Sequence, residues 1–311
     1  MKIILTLEQF PIFWPGAYGN KTQRMPGLDA FTLESTVFDR AYSSRADGLE
    51  TLFQLWEVCD FSAERFAGKK VFLSDLPVDA PDFFDAGKTV DSGTFFSQEI
   101  SEMLDPAEMA ESEISDPKSV GLVWIHFQDW RLEELDAWLM NEANRTCVLA
   151  ILGTSGELPE GDVRLYSSEV QLPWWIRFPE PSFAGTRSRE LVTDRDFQKI
   201  LDAGSPDAKY RENLLILAEN ARWALVTEEW FLTGFEPEKA AESRDCGFEN
   251  GSFEDRSSRD ADRIDSELRE VGEENAPELY FKPSDWWDQN DVASRCFDEV
   301  QELLRLRDSL S

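Results

Sequence analysis

The sequence predicts an α/β protein: a mixed, mostly parallel sheet flanked by helices, followed by a small antiparallel sheet and a closing helix. Three observations predict it. A short aliphatic run, Ile3 to Leu7, opens the chain in the manner of a buried parallel strand. Segments of strand and helix character then alternate as far as about residue 205. Beyond Pro206, short strands follow one another without intervening helices, as in an antiparallel sheet. The expected organisation is a core over residues 1–205 and a C-terminal subdomain over 206–311.

After the first strand, Pro11, Pro15, Gly16 and Gly19 break the backbone into a loop. Leu28, Phe31 and Leu33 suggest a short helix from Pro26, and a second strand is expected near Thr36 to Ala41. Leu49 to Trp56 reads as a helix, and Lys69 to Asp75 as a strand ending in a loop that holds Pro77 and Pro81. Ser97 to Ala110 is acidic and permits a helix. Val120 to Phe127 is a strand, and Leu132, Leu135, Trp138 and Leu139 share helical spacing. Thr146 to Leu152 and Leu172 to Phe178 are further strands, and Thr193 to Ala203 is a helix.

In the second part, a helix is expected over Tyr210 to Asn220. Short strands follow at Trp223 to Val226, Trp230 to Thr233 and Leu279 to Lys282. Residues 236–276 carry 14 acidic and 6 basic side chains and few aliphatics. Such a segment buries too little apolar surface to offset its ordering entropy, so it reads as a flexible acidic insertion. Val292 to Leu310 closes the chain as an amphipathic helix.

The composition bounds the function. With 31 basic against 62 acidic residues the net charge is −31. A surface that negative repels phosphate backbones and anionic headgroups, so neither nucleic acid nor a membrane surface is expected as a partner. The opening apolar run is too short for an export signal and is interrupted by Glu8. No stretch approaches the roughly 18 apolar residues of a membrane span. Cys59, Cys147, Cys246 and Cys296 are scattered and read as reduced thiols. The expected address is the cytoplasm.

Seven segments in order resemble the sulfatase family of the alkaline-phosphatase-like superfamily. Ile3 to Glu8, then Gly16-Ala17-Tyr18-Gly19-Asn20, is similar to the family's first strand, its acidic turn and the loop after it. Met25 to Ala30 and Val37 to Tyr42 resemble its TPNLDRLA and FxxAYA stretches. Leu165 to Pro173 is similar to LYEEELRVP, and Thr193 to Gly204 to the VDLxPTLLDLAG helix. Ala221 to Glu228 resembles ALRTERYK. Glu278 to Pro283 and Asn290 to Ala293 are similar to the closing ELYDLxxDPxExxNLA segment.

The resemblance implies a chemistry that the residues do not supply. Family sulfatases hold a divalent cation, usually calcium, and such a hard ion wants roughly six oxygen ligands, mostly charged. The positions matching the family's first metal pair are Glu8 and Gln9, and those matching the second are Thr154 and Ser155. One carboxylate remains, so neither a metal nor any other cofactor is expected. The family's nucleophile is a cysteine in C-x-P-S-R. Here Tyr42-Ser43-Ser44-Arg45-Ala46 has no cysteine, although Ser43 or Ser44 beside Arg45 offers a phosphatase-like hydroxyl with a guanidinium for the oxyanion. The single histidine, His126, reads as a hydrogen-bonded strand residue rather than a catalytic one.

Other chemistries leave no trace: the sequence has no G-x-G-x-x-G, G-x-x-x-x-G-K-[ST], H-E-x-x-H or G-x-S-x-G. The tryptophan pairs 174–175 and 286–287 suit a core before they suit a ligand platform. Three readings stand. The first is a catalytically degenerate sulfatase-like protein that binds an unknown protein or small molecule. The second is a sulfuric or phosphoric ester hydrolase rebuilt around Glu8, Ser43, Ser44, Arg45, His126 and Arg164. The third is an α/β protein of no assignable activity.

Overall fold

The computed structural model describes residues 2–22, 24–62, 68–76, 81–97, 120–140, 148–157, 164–178, 180–203, 210–235, 276–282 and 284–310. The segment 98–110, the acidic insertion over 236–275 and the cysteines at 147 and 246 lie outside them. The chain divides into two compact units. One comprises Met1–Glu160 with Ser168–Glu212, and the other Gly161–Ser167 with Asn213–Ser311.

The first unit is built on an eight-stranded sheet. Its strands in chain order are β1 (Lys2–Leu7), β2 (Thr36–Phe38), β4 (Lys69–Ser74), β5 (Ala86–Thr89), β6 (Val120–Phe127), β7 (Val148–Gly153), β8 (Trp174–Arg177) and β9 (Thr186–Ser188), with β3 (Ala41–Tyr42) and β10 (Val192–Thr193) forming a separate parallel pair. The spatial order is β5-β4-β6-β1-β7-β8-β2-β9. Every pairing is parallel except those of β8 with β7 and β2. The expected second strand at 36–41 is divided between β2 and β3 because the chain turns at Asp39 and Arg40.

Period-two alternation sorts the strand residues to two faces, both dry. On one face Ile3, Leu5, Leu7, Val123, Ile125, Phe127, Leu149 and Ile151 pack under α1 (Pro26–Leu33), α3 (Ser92–Ser97) and α4 (Leu132–Leu139), which contribute Leu28, Phe31, Phe95, Leu135 and Trp138. On the other, Ile4, Phe72, Trp124, Ala150 and Leu152 pack under α2 (Gly48–Val58) and α6 (Phe197–Ala203) through Leu52, Leu55, Trp56 and Ile200. A sheet covered on both faces needs apolar residues at successive positions, which is why its strands read as unbroken aliphatic runs. Trp174 and Trp175 stand on opposite faces, each fully buried, so this pair is core and forms no shared platform.

Asp136 Oδ1 accepts the backbone N–H of Leu28 at 2.8 Å and so caps the start of α1 from α4. A short helix, α5 (Ser167–Val170), completes the helices of this region. Helix α2 starts cleanly: Asp47 is its N-cap, accepting the Glu50 N–H at 2.8 Å.

The second unit holds a four-stranded antiparallel sheet in the order β11 (Leu214–Leu217), β12 (Arg222–Val226), β13 (Trp230–Phe235) and β14 (Glu278–Phe281). Helix α7 (Phe297–Leu310) lays Val300 and Leu303 on Trp223, Leu225, Leu232 and Leu279. The helix expected over 210–220 is instead strand β11 and a 3-10 turn at Glu219–Ala221. Leu214-Leu215-Ile216-Leu217 satisfies either period, and pairing with β12 decided it. Helix α7 starts five residues later than expected, because Asp291 Oδ1 accepts the N–H groups of Leu279 and Ala293 and holds that stretch as a loop.

Lys282 and Asp288 form a buried ion pair here, and Asp288 also accepts the Ser167 N–H at 2.7 Å and its hydroxyl at 3.1 Å. Burial lowers the Lys282 pKa while the Asp288 charge opposes the shift. Among the described residues no helix is long and apolar enough to cross a membrane.

Candidate functional site

Parallel strands deliver the residues after them to one edge of the sheet, where ligands of open α/β folds bind. The register sets Ser74, His126 and Thr6 side by side on neighbouring strands β4, β6 and β1, all on the face covered by α2. Glu8 follows β1, its backbone N–H on the Phe127 carbonyl at 3.0 Å.

The Glu8 carboxylate is buried and both of its oxygens are engaged. Oε1 lies 3.2 Å from His126 Nε2, and Oε2 accepts from Gln128 Nε2 at 3.2 Å. Asp75 accepts the backbone N–H groups of Gln128 and Asp129 and so fixes the loop that presents Gln128. Behind the fully buried imidazole, Nδ1 sits 3.1 Å from Thr6 Oγ1. That hydroxyl contacts the Ile125 carbonyl at 2.9 Å and receives the Trp124 indole N–H at 3.2 Å. Gly48, the first residue of α2, closes the corner: a Cβ there would lie 2.7 Å from Glu8 Cγ and Cδ.

Gln9 is exposed and adopts a left-handed backbone (φ 50°), a conformation that costs a non-glycine residue roughly 1–2 kcal/mol. The turn is stapled from two sides. Ser155 Oγ accepts the Gln9 N–H at 3.0 Å and its carbonyl accepts the Phe10 N–H at 2.8 Å, while Trp130 Nε1 donates to the Glu8 carbonyl at 2.8 Å. Thr154 is buried, and its hydroxyl donates to the Leu7 carbonyl at 3.3 Å. Glu8, Gln9, Thr154, Ser155 and His126 thus share one locality.

The loop before α2 carries the hydroxyl candidates. Ser43 Oγ lies 2.6 Å from Thr51 Oγ1 and contacts the Arg45 carbonyl. Ser44 Oγ donates to Asp194 Oδ2 at 2.8 Å, and Asp194 also accepts the N–H groups of Ser44 and Arg195. Burial raises the Asp194 pKa above the ordinary carboxyl value, against these hydrogen bonds, which lower it. The Arg45 guanidinium reaches out to Glu50 at 4.0 Å, with both side chains about half exposed. Arg164 lies in the second unit and pairs with Glu278 at 3.3 Å.

Sequence reasoning did not find Thr6, Gln128, Gly48 or Asp194. Gln128 stands two residues from His126 and so follows it on one side of the strand, a signal that was available. Asp194 sits inside the Thr193/Asp196 capping box, whose pattern announces a helix start and says nothing of Ser44.

Comparison with solved structures gives a consistent match at low identity. A Bacteroides thetaiotaomicron protein described with the metabolism of multiple glycosaminoglycans superposes with a TM-score of 0.64 at 11% identity, over 99% of this chain and 98% of that one. A 2-O GAG sulfatase superposes at 0.59 and 10%, over 98% and 90%. The fold is that of the sulfatases. A Vibrio parahaemolyticus protein in the alkaline phosphatase superfamily superposes at 0.53 and 9%, over 74% and 76%. No protein-family model matches the sequence, and no curated protein matches it. The sulfatase-like sheet, with its smaller antiparallel sheet and terminal helix, is therefore what these chains share.

Proposed function

We infer that this chain keeps the sulfatase fold without ester hydrolysis and serves to bind a protein or small-molecule partner. The observation that carries this reading is the state of Glu8. The one carboxylate at the positions matching the family's metal site has each oxygen engaged by a protein donor, His126 on one side and Gln128 on the other. Thr154 and Ser155 are engaged by the backbone of Leu7 and Gln9. A hard divalent cation wants roughly six oxygens carrying several negative charges. One carboxylate, two hydroxyls and an exposed amide do not fit it. Among the described residues, no group of three or more His, Cys, Asp or Glu side chains is placed to hold a metal ion.

The net charge of −31 disfavours a polyanionic partner such as nucleic acid. A cytoplasmic address belongs to the same reading, and Cys59 and Cys296 are free thiols, as a reducing compartment keeps them. The test is a calorimetric calcium titration beside turnover assays with aryl sulfate and aryl phosphate esters. Neither uptake nor cleavage is expected. Tight stoichiometric calcium binding accompanied by ester cleavage overturns the reading.

One observation favours a second reading, an ester hydrolase with a rebuilt site. The Ser44 hydroxyl donates to Asp194, a buried carboxyl whose raised pKa suits proton acceptance from a nucleophile. A fluorophosphonate probe reads this directly. Labelling of Ser44, lost in Ser44→Ala, supports the hydrolase, and an unlabelled chain leaves the first reading in place.

A further inference from the structure

We propose that His126, Gln128 and the first turn of α2 form a cradle for a small carboxylate, which the chain fills with its own Glu8. This rests on the non-hydrolytic reading above and says what took the place of a cation in it.

The argument starts at Thr6. Its single hydroxyl hydrogen faces the Ile125 carbonyl at 2.9 Å, which only accepts, while the Trp124 indole N–H at 3.2 Å only donates. The same hydroxyl oxygen lies 3.1 Å from His126 Nδ1 and so holds the ring in place from behind. On the far side of the ring, Nε2 and Glu8 Oε1 stand 3.2 Å apart in a buried corner. Two lone pairs at that distance repel, so a proton lies between them. His126 Nε2 and Glu8 Oε1 therefore share a hydrogen bond. The Gln128 amide holds the other oxygen. The backbone at Gly48 approaches the carboxylate without a side chain between them, which brings the positive end of α2 to bear on it.

These donors recognise a carboxylate whether or not it is tethered. Glu8→Ala removes Cγ, Cδ and both oxygens, the heavy atoms of one acetate ion. The expected result is a melting temperature of Glu8→Ala that rises saturably with sodium acetate against sodium chloride at equal ionic strength, with no such rise in the wild type. An equal acetate response in both chains overturns the proposal. Should Glu8→Ala fail to fold, the wild type still decides, because His126 is the only histidine among 311 residues and its nitrogen-15 spectrum is unambiguous. Nε2, the nitrogen facing Glu8, is expected to carry hydrogen, and a bare Nε2 overturns the cradle. An acetate-insensitive Glu8→Ala in a chain that ignores calcium sinks this inference alone. Calcium uptake with ester cleavage by the wild type sinks the non-hydrolytic reading itself.

Discussion

Glu8 and Asp194 are both buried carboxyl groups at the edge of the same unit, and the chain stabilises them by different means. Glu8 faces an imidazole, an amide and a helix start. Asp194 is held by a hydroxyl and backbone N–H groups, with no cationic side chain among the hydrogen-bond donors described for it. The comparison separates two ways of burying a carboxyl group: gripping it between an imidazole and a side-chain amide, or holding it with a hydroxyl and backbone donors that only partly offset the rise in pKa that burial causes. The second keeps a carboxyl that accepts a proton more readily than an ordinary one.

The sharpest way to break the contrast is to remove the imidazole. His126→Ala empties the site of a fully buried ring and leaves Glu8 Oε1 without its imidazole partner, and emptying a large buried side chain's site costs about 2–5 kcal/mol. Chemical denaturation of the purified variant should show a loss of that size. A loss below about 1 kcal/mol means that the contact between His126 and Glu8 contributes little to the fold. Next in size is Gly48→Ala, whose new methyl meets Glu8 at 2.7 Å and either displaces the carboxylate from His126 or shifts the helix start. The expected cost is about 1–3 kcal/mol. In a Glu8→Ala background most of that cost should vanish, and the difference, taken as a double-mutant cycle, measures how closely α2 and Glu8 are coupled.

The same contrast shows what the sequence made legible. The sheet was readable because buried parallel strands need apolar residues on both faces, and Val120 to Phe127 declares itself over its whole length. The 214–217 strand was not, since four consecutive aliphatic residues fit a helix face equally well until a partner strand appears. At the candidate site, Glu8, Gln9, Thr154 and Ser155 were placed from the order of segments along the chain. The hydrogen bonds that use them join residues more than 100 positions apart, such as Glu8 with His126 and Gln9 with Ser155. Register across β1 and β6 creates the first of these, and no local pattern encodes it. The cysteines illustrate the converse. A free Cys59 was expected from its isolation in sequence, whereas burial pushing its thiol up to about 12, and so making it unreactive, depends on the fold.

Smaller effects test the Asp194 side. Burial holds its folded pKa above the unfolded one, so folding favours the protonated carboxyl. Its contribution to stability is fully present below about pH 4, the ordinary carboxyl range, and is lost as pH rises through the folded value. Asp194→Asn does not ionise, so its stability should fall less than the wild type's between acid and neutral pH in parallel urea titrations. An unchanged pH dependence removes Asp194 as the group responsible. The smallest change is expected for Arg45→Ala. Its guanidinium is about half exposed and 4.0 Å from an equally exposed Glu50, and such pairs contribute about 0–1 kcal/mol. The informative readout is therefore the pH profile rather than the midpoint. If the charge of Arg45 reached back to the Ser44–Asp194 corner, removing it would raise the Asp194 pKa further and steepen the loss of stability with pH. The expected profile matches the wild type's, because Arg45 turns toward Glu50 and solvent. Asp194 then depends on Ser44 and the backbone, as the hydrogen bonds indicate.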